Sequence, residues 1–128
     1  MADESHIARL REGVAAWNEW RRTHPEVIPD LSAGVLRGLD LSTADLSDSD
    51  LRGADLRGVQ LQRAKLVRAR MNQANLFKAV LDGADLEDAV LIGAQFLNCA
   101  QLVAASNWSS AHRDPSLGCG AAIPANGQ

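Results

Sequence analysis

From Leu31 onward a large apolar residue returns at every fifth position: Leu36, Leu41, Leu46, Leu51, Leu56, Leu61, Leu66, Met71, Leu76, Leu81, Leu86, Leu91 and Phe96 follow without a gap. Two residues before most of them stands a small one, as at Ala44, Ala54, Ala64, Ala69, Ala74, Ala79, Ala84, Ala89 and Ala94. Gly34 and Ser49 are also small, while Pro29, Leu39 and Val59 depart. An α-helix turns 100° per residue, so a five-residue step would smear the large side chains around every face, and helix is excluded here. In an extended segment residues two apart share a side, which sends the small and large residues of each repeat inward and the residue between them outward. Those intervening positions are mostly polar, as at Asp40, Asp45, Asp50, Asp55, Lys65, Arg70, Asn75, Asp85 and Gln95, although Val35, Val80 and Val90 are not. Gly38, Gly53, Gly58, Gly83 and Gly93 fall two residues after the large position, where a corner calls for unusual backbone angles. Each repeat is expected to be a short strand followed by a corner, and regular corners close a coil.

The flanks read differently. Ile7, Leu10, Val14 and Trp17 recur at helical spacing, with Asp3 and Glu4 before them and Arg21 and Arg22 after, which suits the helix dipole. One amphipathic helix over residues 4–22, ended before Pro25, is expected to lie as a lid on the first coil. After Phe96 the period slips, because Gln101 falls where a large residue is due and Leu102 comes one place late. The coil is therefore expected to end there. Residues 105–117, with Trp108, Asp114-Pro115 and Leu117, resemble short tails that follow other arrays of this kind and are expected to form a turn or short helix closing the second end, and residues 118–128 predict a mobile tail. The expected organisation is 1–28 helix, linker and cap, 29–98 coil, and 99–128 cap and tail.

Runs such as Ala54-Asp55-Leu56-Arg57-Gly58, Ala74-Asn75-Leu76-Phe77-Lys78 and Ala84-Asp85-Leu86-Glu87-Asp88 resemble the pentapeptide-repeat family. The resemblance implies an all-β solenoid, a right-handed parallel quadrilateral β-helix with four repeats per coil. Residues 29–98 would then make about 3.5 coils, a rod about 17 Å tall at the usual strand spacing. The segment from His6 to Ser32, with Gly13-Val14-Ala15-Ala16-Trp17 and Pro29-Asp30-Leu31, is similar to the N-terminal helical leader of a bacterial subgroup, which implies no activity.

Composition narrows the function. Aromatic residues are only 4% of the chain, with no Tyr, so the core has to be built from Leu and Ala. The net charge of −3 is spread evenly: residues 31–98 carry eight basic and nine acidic groups. Duplex nucleic acid requires a basic stripe and mimicry of it an acidic one, so neither reading is favoured. Residues 1–20 lack an apolar run of signal-peptide length and no stretch approaches a membrane span, which predicts a cytoplasmic protein without membrane contact. Cys99 and Cys119 are too few for a disulfide framework and are read as free thiols.

Candidate chemistry is sparse. His6, His24 and His112 all lie outside the expected coil, so no imidazole is held on its faces, and no catalytic, cofactor-binding or metal-binding residues are assigned. Asp48 and Asp50 form an outward carboxylate pair, but Arg52 and Arg68 nearby make simple solvated charge the better reading. The expected function is a non-catalytic protein-interaction or scaffold module. The alternative is a DNA-mimic protein acting on DNA gyrase, as some members of the family do, which the near-neutral coil charge disfavours.

Residues twenty apart should stack, so two columns of alternating charge are expected: Asp45, Lys65 and Asp85, and Asp48, Arg68 and Asp88. An outward apolar patch is expected near the second end from Phe77, Val80, Val90, Ile92 and Leu97, with Phe77 and Leu97 stacked on one face. Large exposed apolar patches call for a cover. Here it would be the tail through Leu102, Val103, Trp108 and Leu117, a homodimer partner, or another protein.

Overall fold

Each repeat brings five backbone N–H groups that need acceptors, and their destinations set the architecture in the computed structural model, which describes residues 2–117 and 119. Around Leu51, Asp50 N donates to Pro29 O one turn back (2.9 Å), and Leu51 N and Gly53 N donate to Arg70 O and Asn72 O one turn on (2.7 and 2.8 Å). Ala54 N closes the corner on Leu51 O at 3.1 Å. The remaining donor, Arg52 N, has no ladder partner and goes to the Asp50 side chain, 3.1 Å from Oδ1. Asp30, Asp40, Asp45, Asp55, Asn75 and Asp85 accept the N–H two residues on in the same way. The polar residue between the two inward ones is thus a structural cap as well as a solvated surface residue, a role its outward position alone does not reveal.

Ten parallel bridges join residues twenty apart, from Asp30↔Asp50 to Asn75↔Gln95, so one turn takes four repeats. Among the described residues no strand forms; the expected short strand shrinks to a single bridged residue, because a corner follows every five residues. The corner residue has positive φ in every repeat from Ala33 to Gly93. Glycine fills five of these places, and Ala33, Thr43, Asp48, Arg63, Arg68, Gln73, Lys78 and Asp88 adopt the same left-handed angles at φ 54–64°.

Inside, the thirteen large residues from Leu31 to Leu91 are fully buried, and the alanines two places earlier line the same interior. Burying a Leu side chain contributes about 1.5–3 kcal/mol, offset by the entropy of ordering its repeat. Phe96 breaks the series. It is 66% exposed and itself takes a positive φ of 60°, so the expected fourteenth core residue lies outside.

The expected single N-terminal helix is two: α1 (Glu4–Arg11) and α2 (Val14–Thr23), separated at Gly13, whose φ of 117° interrupts the helix. Asp3 caps α1 by accepting from Ser5 N at 2.9 Å. The break lets both apolar stripes reach the core, where Ile7, Leu10, Trp17 and Trp20 are buried. Trp17 Nε1 donates to Asp45 O at 2.8 Å, Asn18 both donates to Thr43 O and accepts from Asp45 N, and Arg21 donates to Ser47 O. A Cβ at Gly34 would lie 2.6 Å from Ile7 Cδ1 and 2.9 Å from Leu31 O, so only glycine admits α1 this closely.

At the other end the ladder does not stop where the period slips. Helix α3 (Cys99–Val103), with Asn98 and Gln101 forming a capping box, returns Leu102 to the core, and the chain then bridges Ser106 to Asp85 and His112 to Val90. Ala105 and Ala111 take inward small positions there. His112, expected outside the coil, therefore sits in its ladder through backbone bonds to Ala89 and Leu91. Two 3-10 turns, Trp108–Ser110 between the two bridges and Pro115–Leu117 after them, form the short helical closure expected there. Cys99 and Cys119, read from sequence as free thiols, form a disulfide with Cα atoms 5.2 Å apart. The α3 turn and the returning tail bring together two residues twenty apart in the chain. The expected tail 118–128 otherwise lies outside the described residues.

Candidate interaction surface

Since residues twenty apart stack, each outer face can be read as columns. The face bearing Phe77 presents Val35, Asp55, Asn75 and Gln95 in one column, joined by bridges, and Arg37, Arg57 and Phe77 in the next. Arg57 clasps Asp55 through two bonds of 2.8 Å, and Arg37 approaches the same carboxylate at 3.2 Å. These guanidinium hydrogen bonds, Arg57's foremost, hold the Asp55 carboxyl well below the usual carboxylate range.

The apolar patch assembles differently from the expected one. Phe77, 46% exposed, meets Phe96 edge to face with ring centroids 5.6 Å apart, while Leu97 is half-buried and packs against the core. The positive φ of 60° at Phe96 accompanies this exchange of the two residues' sides. Ile92 is exposed, whereas Val80 and Val90 are half-buried; their bridges, Val80 to Gln60 and Val90 to Arg70, place them on the two neighbouring faces. Among the described residues the chain after the coil covers part of the expected patch: Leu117 lines a hollow with Leu91, Ala94 and Leu97, and Leu102 is in the core, while Phe77 and Phe96 stay open. Phe96 was missed as a surface residue because its five-residue spacing marked it for the interior. The capping pair Asn98 and Gln101, which starts a helix immediately afterwards, was the available signal.

On the opposite side the charge columns appear in register but pair unevenly. Arg68 bonds Asp48, while Asp45 lies beside Arg21 rather than Lys65. The carboxylate pair Asp48 and Asp50 is engaged by Arg68 and Arg52, whose hydrogen bonds lower both carboxyl pKa values. His6 and His24 pack on the Trp20 ring. Among the described residues no helix is long and apolar enough to cross a membrane.

Parallel turns of four five-residue repeats around a leucine core define a β-helical repeat protein. The chain belongs to the pentapeptide repeat family: the model of pentapeptide repeats matches residues 30–63, 55–91 and 69–100 with eight copies, more than half of the chain. Membership implies a right-handed quadrilateral β-helix. Among solved structures, a pentapeptide repeat protein from the Arabidopsis thaliana thylakoid lumen is similar at 32% identity, covering 54% of this chain and 55% of its own, with a TM-score of 0.44. The pentapeptide repeat protein Rfr23 of the cyanobacterium Cyanothece 51142 is 25% identical over 64% of this chain and 58% of its own, with a TM-score of 0.22. This chain thus spans little more than half the length of each. No curated protein matches it.

Proposed function

We propose that this protein is a non-catalytic interaction or scaffold module, a β-helix of about 3.5 coils closed by α1 and α2 at one end and by α3 and the following turns at the other. Pentapeptide repeat proteins are generally non-enzymatic interaction modules. The observation that carries the reading here is the Phe77–Phe96 pair, two aromatic rings standing exposed on a rigid face and left uncovered by the other described residues. Capture from the source cell with the tagged protein, read by mass spectrometry, should recover a specific protein. Equal recovery by a scrambled-surface control would refute the module reading.

A second reading takes the same end of the coil as the contact of a homodimer; sedimentation as a 13.7 kDa species at high concentration would remove it. Action on DNA gyrase is the weaker alternative, since the coil's basic and acidic groups nearly balance, and a supercoiling assay with excess protein tests it. A cytoplasmic location requires the Cys99–Cys119 pair to be reduced in the cell, because disulfides persist mainly in oxidising compartments.

A further inference from the structure

Of the four outer faces, the one bearing Phe77 differs from the rest in charge and in apolar exposure together. Its outward positions and its corner carry Arg37, Arg57 and Lys78 against a single carboxylate, Asp55, and both arginines already converge on that carboxylate. Two repeats further on, the opposite side carries Asp45, Asp48, Asp85, Glu87 and Asp88 against Lys65 and Arg68. The coil is therefore polarised, although its total charge is nearly balanced.

Between these cations stand the two rings, flanked by shallow hollows. One, of about 420 Å³, is lined by Phe77, Lys78, Phe96, Leu97, Asn98 and Gln101, and the other, of about 180 Å³, by Arg57, Asn75, Phe77 and Phe96. Lys78 Nζ lies 5.5 Å from the Phe77 ring centre. Phe96 is held outside by a left-handed backbone conformation that bulky side chains rarely adopt. None of the thirteen preceding residues of its series has a positive φ, so the flip is local to the place where the ring becomes available. Strain of this kind is found at sites that use it.

We propose that this face docks an acidic polypeptide segment, with an apolar side chain of the partner seated against Phe77 and Phe96 and its carboxylates facing Arg37, Arg57 and Lys78. This rests on the interaction-module reading and names the chemistry of the partner. A second copy of the chain fits less well: a two-fold axis through this face would set its cations against themselves, which opposes association. Pairing with the acidic side of another copy would be heterologous and would propagate rather than close. A single-stranded nucleic acid would stack bases on open ring faces, whereas these rings are committed edge to face with each other at an interplanar angle of 69°.

The test is fluorescence anisotropy with a labelled peptide of alternating glutamate and leucine. The matching lysine–leucine peptide and a labelled oligothymidylate serve as the other arms. The acidic peptide should bind, more weakly as salt rises, and Phe96→Asn and Lys78→Asn should each reduce affinity by about tenfold. Asparagine tolerates the left-handed conformation at both positions, so unchanged circular dichroism and melting temperature are expected, and Val67→Asn on the opposite side should bind as the native protein does. Equal binding of the lysine peptide, binding of the oligothymidylate alone, or no binding of the acidic peptide would overturn the proposal, as would self-association that Phe96→Asn abolishes. A cellular partner still captured by the Phe96→Asn, Lys78→Asn double variant would sink this face while leaving the module reading intact. Failure to capture any partner would instead count against the module reading.

Discussion

Arg68 reaches across one full turn of the coil to Asp48, twenty residues earlier, placing Nε and Nη2 at 2.8 and 3.0 Å from the two carboxylate oxygens. Both side chains are about half exposed, so solvent screening keeps the pair's contribution small despite its geometry. Arg68→Gln should lower the melting temperature slightly in low salt, with the difference closing in high salt. Lys65→Gln should change it less, because Asp45 is approached by Arg21 instead. Equal losses for the two variants would mean that simple stacked charge, rather than the two-point contact, stabilises the column.

Ser49 is fully buried in an inward position, and its hydroxyl has no hydrogen-bond partner among the described residues. Alanine occupies the stacked positions Ala69 and Ala89 of the same column. Removing an unsatisfied buried hydroxyl relieves a desolvation cost of about 1–3 kcal/mol. Ser49→Ala is therefore expected to stabilise the protein, measured as a higher urea midpoint. A lower midpoint would show that the hydroxyl has a partner.

Acid should destabilise the fold through the carboxylates that arginine holds. The folded pKa of Asp55 lies below its unfolded value, chiefly because of the hydrogen bonds from Arg57, and Asp48 and Asp50 are shifted the same way by Arg68 and Arg52. Between the two pKa values the unfolded chain binds more protons, so stability rises with pH there. The contribution is present above about pH 4 and is lost as pH falls through the folded values. Melting temperatures measured across that window should fall less steeply in Asp55→Asn than in the native protein; parallel curves would exclude Asp55.

Trp17 joins α2 to the coil with both halves of its side chain, the ring fully buried and Nε1 donating to Asp45 O. Trp17→Ala should cost about 3–5 kcal/mol. Trp17→Phe, which keeps most of the ring but removes the donor, should cost less, about 1–3 kcal/mol for the carbonyl left without it. Chemical denaturation separates the two. Equal costs would mean that the buried ring adds nothing beyond the hydrogen bond, and a Trp17→Phe variant as stable as the native protein would mean that the hydrogen bond contributes nothing.

The disulfide ties α3 to the end of the last described turn, closing a separation of twenty residues, for which chain entropy predicts about 3 kcal/mol. Reductant should lower the melting temperature, and Cys119→Ser should show the same lowered value with no further response to reductant. Thiol titration of the native protein under denaturing, non-reducing conditions should find no free thiol. Two free thiols would restore the reading first taken from the sequence.

The repeat and the inward series from Leu31 to Leu91 were legible in the sequence, because a rigid five-residue period admits only one assignment of inside and outside, whereas the stacking of residues twenty apart was implied only by the family resemblance. The glycines likewise marked the corners, since a positive φ costs them little. What the sequence could not decide were places where a local rule met a competing long-range one. Gly13 stands within a helical apolar stripe, and only the need to fit Leu10 and Trp17 against one core makes its break visible. Phe96 keeps the five-residue spacing yet lies outside, since its backbone takes a left-handed conformation just before the helix that Asn98 caps. Cys99 and Cys119 meet only because irregular residues between them return to the ladder at Ser106 and His112. The docking face has the same origin: Arg37, Arg57, Phe77 and Lys78 are scattered along the chain, and stacking gathers them onto one side, while the tertiary exchange of Phe96 for Leu97 adds the second ring.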